Sequence, residues 1–178
     1  IGWFIGFAIS KTGIPPLIAT LAMQTALRGL SFILSKGRPV YGIPDSIKFI
    51  GQGYVFGVIP IPGLILAAAI VFGIVLLNKT YLGRHSYALG SNPEATRLSG
   101  INIHFTRTMT YTLNGFLTGI AALVMVTRVG SGQPNAADGF EMNVLTAAVL
   151  GGVSINRGKG SIAGAMVGAV IIGVLNNG

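Results

Sequence analysis

Residues 63–82 read GLILAAAIVFGIVLLNKTYL, and no acidic side chain interrupts them. Twenty helical residues reach roughly 30 Å, the thickness of a bilayer's hydrocarbon core. Ile59-Pro60-Ile61-Pro62 marks the start of this span, and Tyr81 falls where interfacial aromatic rings anchor. The rest of the chain fits the same solvent. Of its 178 residues, 51% are apolar and 9% are charged, with a mean hydropathy of +0.72. A soluble domain carries about 25% charge. So few charges cannot cover a soluble globule, and the surplus apolar surface points to lipid. A very apolar soluble α/β domain is the rejected alternative. The 27 glycines and 8 prolines sit mainly within or beside apolar runs, as in membrane helices. With no cysteine, disulfides, thiol catalysis and cysteine-ligated metals are excluded.

Outward from that span, other apolar runs recur. Ile1–Ser10 reads as the end of a span closed by Lys11. It lacks the basic region and cleavage site of a signal peptide. After Thr12-Gly13-Ile14-Pro15-Pro16, a helix is predicted over about Pro16–Leu34, with Arg28 inside it, snorkelling to the interface or lining the transport path. Ser35–Tyr54 reads as a polar connector. A further span is predicted over about Arg107–Val126; it holds Asn114 and the pair Gly115 and Gly119, spaced for close helix packing. Asn114 needs a partner in hydrocarbon, either a neighbouring helix or a polar pathway.

Val144–Val153 is apolar, but its ten residues reach only about 15 Å as a helix. It ends at Gly151-Gly152, and Ser161–Leu175 follows with Gly160, Gly164 and Gly168 in register. Broken membrane helices occur where the freed backbone is buried in protein or faces a cavity. This region is therefore the expected permeation path. Lys159 is followed by Gly160 and not by Ser or Thr, so the Gly-rich loop is no Walker sequence. Asp138 and Glu141 read as a solvated loop pair or a partner contact. His85 and His104 lack metal-ligand spacing, so no metal or catalytic residue is assigned.

The net charge is +8. In a chain that crosses at each span, Lys11, Lys79, Arg84, Arg97, Arg107, Arg157 and Lys159 fall on one side. Lys36, Arg38, Lys48 and Arg128 fall on the other. The bias places Gly83–Thr106 and Ser154–Gly160 in the cytoplasm. Within Gly83–Thr106 a short helix is marked by a cap at Asn92, Pro93 at its first position, Glu94 in its first turn and Gly100 at its exit. So short a helix does not hold alone in water. Ala95, Leu98 and Ile101 form a small apolar face without an aromatic, a weak lipid anchor. The other reading is a knob that enters another protein's groove, with Glu94 and Arg97 setting register.

Ala88–Ile101 resembles the cytoplasmic coupling segment of the permease subunits of bacterial carbohydrate ABC importers, ribose-type group. Val149-Leu150-Gly151-Gly152-Val153-Ser154, Gly158-Lys159-Gly160-Ser161 and Gly173-Val174-Leu175-Asn176-Asn177-Gly178 are similar to that family's C-terminal signature. Gly13–Leu21 and Arg28-Gly29 match its earlier part, and Asn156-Arg157 departs from it. The resemblance implies an all-α polytopic transmembrane bundle with a broken or re-entrant segment and a short cytoplasmic coupling helix. The expected organisation is a single permease domain over 1–178 with its coupling loop at 83–106, a fragment of a longer chain of about ten membrane segments. It implies a non-catalytic subunit of the bacterial inner membrane that binds no cofactor, with ATP-Mg on a partner ATPase. The other implied partners are a sugar-binding protein, periplasmic or lipid-anchored, and a second permease subunit. ATPase docking is expected at Asn92, Pro93, Glu94, Ala95, Arg97, Leu98, Gly100 and Ile101. The path for a neutral sugar is expected at Thr20, Gln24, Asn114, Asn143, Gly151 and Gly152. Rival readings are a permease for another small solute, a secondary transporter or channel without an ATPase, and a membrane-embedded enzyme.

Overall fold

The structure is a computed structural model that describes residues 1–155 and 157–177; Asn156 and Gly178 lie outside them. It is predominantly helical. Among the described residues three helices are long and apolar enough to cross a membrane: α2 (Pro16–Ser35), α4 (Ile61–Lys79) and α7 (Ile103–Val129). The others are α1 (Gly2–Thr12), α3 (Asp45–Gln52), α5 (Tyr81–Ser91), α6 (Pro93–Leu98), α8 (Phe140–Leu150) and α9 (Ile162–Asn177). Among the described residues the exceptions to an all-α description are two isolated antiparallel bridges, Val40 with Gly132 and Ser154 with Lys159, and a small antiparallel ladder. The ladder joins β1 (Tyr54–Val55) to β2 (Ile59–Pro60), in register Tyr54 to Pro60.

Local chemistry sets the boundaries. α1 stops where Gly13 turns left-handed at φ +70°, and α2 restarts on Pro16, whose missing N–H costs nothing in a first turn. α7 begins before the expected Arg107 because the Asn102 side chain accepts the Phe105 N–H at 3.0 Å, a cap one turn earlier. The span read as 63–82 ends at Lys79 instead. Thr80 is extended, and its hydroxyl accepts the Gly83 N–H at 3.3 Å, capping a new helix. α5 thus takes its first two residues from the expected span and the rest from the expected polar segment 83–106. α3 lies within the expected connector 35–54. Asp45 opens it, and the Lys48 ammonium 2.7 Å away lowers the pKa of that exposed carboxyl, first by hydrogen bonding and then by charge.

Contacts divide the chain into two compact units, Ile1–Ala69 with Arg107–Ala136, and Ile70–Thr106 with Ala137–Gly178. In the first, α1 lies antiparallel on α7. Gly2 meets Gly115, and Gly6 meets Thr108 and Tyr111, so close that an added Cβ would collide with α7. Gly119, the other half of the expected packing pair, has open space beside it. The end of α3 grips the end of α7. Gly51 abuts Thr127, and Gln52 donates to the carbonyls of Thr127 and Arg128 at 3.3 and 3.2 Å.

In the second unit, α8 and α9 form an antiparallel hairpin. Gly151 packs on Gly164, and Gly168 packs on the Ala147 carbonyl. Two of the three glycines in the 160–164–168 series thus make backbone contact, while Gly160 faces the Val153 side chain. Among the described residues the buried apolar side chains are only Ile9 and Ala147, beside the buried hydroxyl residues Thr96, Thr106, Thr127 and Ser131. Large apolar side chains along α2 and α4 remain exposed, as suits helices whose solvent is lipid.

Gly168→Leu should destabilise the α8–α9 hairpin by about 1–3 kcal/mol or more, since overpacked sites relax poorly. Gly173→Ala, with open space around it, should stay within about 0.5 kcal/mol of the parent. Thermal unfolding in detergent micelles measures both.

Candidate functional site

The polar segment between α4 and α7 is built as a corner. Asn92 ends α5, its N–H donating to the Ala88 carbonyl at 3.0 Å. The same residue starts α6, its side-chain oxygen accepting the Ala95 N–H at 3.0 Å. Two helices therefore share one residue, with no linker between them. Pro93 occupies the first position of α6, Glu94 lies in its first turn, Arg97 in its last, and Gly100 closes the segment at φ +78°. The capping pattern expected from the sequence is present over a shorter helix, Pro93–Leu98.

The side chains of α6 divide sharply. Thr96 is 4% exposed, and its hydroxyl donates to the Asn92 carbonyl at 2.7 Å. Leu98 is 84% exposed, with Glu94, Ala95 and Arg97 also exposed and Ile101 half-buried. An uncovered leucine on a short, capped helix leaves an apolar point with a charge of each sign nearby.

The Gly-rich turn after α8 lies against this corner. Ser154 and Lys159 form an antiparallel bridge, with the Ser154 N–H donating to the Lys159 carbonyl at 2.7 Å. Tyr87 on α5 donates its hydroxyl to the Gly160 carbonyl at 3.0 Å, and Ser91 donates to the Arg157 carbonyl at 3.2 Å. Between these bonds, Gly90 faces Gly158. The charge bias gives these two segments a common side only as an expectation, and it does not indicate their contact. Its only signal is Gly90, a helix-weakening residue inside a helical stretch.

The residues expected along a path are dispersed. Thr20 is half-buried on α2, and its hydroxyl is spent on the Pro16 and Leu17 carbonyls of its own helix, at 3.0 and 3.1 Å. Gln24 is half-buried one turn later, Asn114 is exposed on α7, and Asn143 is exposed on α8. Gly151 makes the α8–α9 contact, and Gly152 turns the chain at φ +81°. None of these lines the cleft of about 500 Å³ in the first unit, which lies between the end of α2 and the turn at Gly132, Gln133 and Pro134. Among the described residues no three His, Cys, Asp or Glu side chains cluster as a metal site would need.

A family model described as "Branched-chain amino acid transport system / permease component" matches residues 1–178. A "Ribose import permease protein RbsC" from Bacillus subtilis (strain 168) is 41% identical over 175 residues, covering 97% of this chain and 54% of its own length. The protein of the same name from Escherichia coli (strain K12) is 39% identical over 184 residues, 100% of this chain and 56% of its own. An "L-arabinose transport system permease protein AraH" from the same strain is 42% identical over 175 residues, 97% of this chain and 52% of its own. The chain thus spans about half the length of the curated relatives it matches. No solved structure matches it significantly.

Asn92→Ala removes the shared cap and should cost α6 about 1 kcal/mol. Hydrogen exchange should read this as roughly fivefold faster exchange at the Ala95 amide, and Asn92→Ser should restore most of the protection.

Proposed function

We infer the function from one premise: the chain belongs to the family described as branched-chain amino acid transport system / permease component, whose model spans all of it. The proposed function is that of the membrane-spanning permease subunit of an ATP-driven importer, and the proposed solute is a ribose-type monosaccharide. The carrying observation is the 41% identity to a ribose import permease over 97% of this chain. A single permease domain over residues 1–178 remains part of this reading, as does a place in the bacterial inner membrane with the 83–106 segment in the cytoplasm.

In this reading α6 is the coupling helix. A partner ATPase receives Leu98 and Ile101 in an apolar groove, while Glu94 and Arg97 set register and Asn92, Pro93, Ala95 and Gly100 hold the helix in shape. The exposure of Leu98 supports this role. ATP-Mg binds to the partner, whose closure moves α6 as a rigid body. The flanking helices α4 and α7 tilt, and the α8–α9 region opens or closes the path as a broken, re-entrant segment.

A neutral sugar asks for hydroxyl and amide groups. Thr20, Gln24, Asn114 and Asn143 are the proposed polar positions, and Gly151-Gly152 the proposed pivot. A substrate-binding protein delivers the solute, and a second permease subunit completes the path. The second reading is a permease for another small solute, which the family description favours by naming branched-chain amino acids. A secondary transporter fits less well. Ion coupling calls for an acid or histidine in mid-span, and α2 and α4 contain neither.

The test replaces Leu98 with Asp and Glu94 with Lys in the full-length permease reconstituted with its ATPase. ATPase docking and solute uptake should both fall by about tenfold or more, the scale of a contact residue worth 1.4 kcal/mol or above. Survival of both would remove α6 from the mechanism. A ligand screen on the partner binding protein decides between sugar and amino acid.

A further inference from the structure

We propose that Arg157–Gly160, beside the Ser154–Lys159 bridge, is the seat of the α5–α6 corner, and that this hairpin links that corner mechanically to α8–α9. Tyr87, Gly90, Ser91 and Gly158 are then positioning residues for energy coupling. This rests on the reading that α6 docks an ATPase.

Three contacts hold the seat, all from one segment of α5. The Tyr87 hydroxyl reaches the Gly160 carbonyl at 3.0 Å, and the Ser91 hydroxyl reaches the Arg157 carbonyl at 3.2 Å. Between them the two backbones touch. A Cβ added at Gly90 would lie 2.6 Å from the Gly158 Cα, and one added at Gly158 would lie 2.6 Å from the Ser91 nitrogen. Gly158 is also left-handed, at φ +55°, where a side chain is strained. Both surfaces are main chain, so neither yields by rotating a side chain.

What lies on each side of the seat makes it a link. On one side Asn92 joins α5 and α6 without slack, so a push on α6 moves α5. On the other, the Ser154–Lys159 bridge closes the hairpin, and Gly151 on Gly164 fixes its base to α9. Energetic coupling travels through contiguous rigid contacts of this kind. α6 has six residues and one buried side chain, Thr96. It has little grip of its own by which to pass on a displacement.

The experiment uses the full-length permease with its ATPase and binding protein. Gly90→Ala should leave ATPase co-purification and ATP hydrolysis near the parent level while uptake per ATP falls about tenfold; Tyr87→Phe should lower it about threefold. The fall should lie in maximal rate, with the half-saturating concentration of loaded binding protein unchanged. Unaltered uptake per ATP overturns the proposal. Docking and uptake lost together by a folded Gly90→Ala protein also overturn it, since the hairpin would then belong to the docking face. Where Gly90→Ala does not fold, Ser91→Cys with Arg157→Cys serves instead, bridged by a short reducible bis-thiosulfonate in a background without other cysteines. The bridged protein should transport at the unbridged rate, because the two segments move as one body. Uptake that stops on bridging and returns on reduction overturns the proposal. Docking that survives Leu98→Asp faults the α6 reading itself, an outcome separable from all of these.

Discussion

Main-chain contact at glycine is the constraint on which this structure depends. In water a domain of this length would be held by a core of large apolar side chains. In lipid those side chains gain nothing by leaving the hydrocarbon, and close van der Waals approach takes over. Gly2 and Gly6 on α7, Gly51 on Thr127, Gly151 on Gly164, and Gly168 on Ala147 are each such an approach. The buried residues fit this description: one isoleucine, one alanine and a few hydroxyl side chains among the described residues. The threonines Thr96, Thr106 and Thr127 turn their hydroxyls back on carbonyls of their own chain a turn earlier. Burial therefore leaves none of these hydroxyls unsatisfied.

Much of this was legible in the sequence, for reasons particular to each segment. The spans were, because twenty apolar residues have few alternatives. The caps of α6 were, because Asn, Pro and Gly each answer a specific backbone need within one turn. The resemblance to ribose-type permeases, drawn from Ala88–Ile101 and the C-terminal glycine motifs, agrees with relatives 39–42% identical. α5 was harder to see. Its residues are neither apolar enough for a span nor polar enough for a loop, and its start depends on one threonine hydroxyl. The ladder at β1–β2, only two residues per strand, is beyond any periodicity argument.

The contact between Gly90 and Gly158 was illegible for a different reason. The two residues are far apart in sequence, and a glycine announces conformational freedom without saying what it approaches. Gly115 and Gly119 make the same point. Both have the spacing of a packing motif, yet only Gly115 has a backbone against it. Spacing states where a close approach is permitted. Which glycine receives one depends on the partner helix, here α1, whose Gly2 and Gly6 are four residues apart.

The single residue shared by α5 and α6 fixes an angular phase. Each residue of an α-helix turns the chain by about 100° and advances it by about 1.5 Å. One residue added to α5 would swing Leu98 to another quarter of the compass, whatever the letters around it. The corner therefore works as a gauge of length. Its amino acids are open to exchange wherever capping and close approach allow, but the count of residues from Thr80 to Asn92 is not.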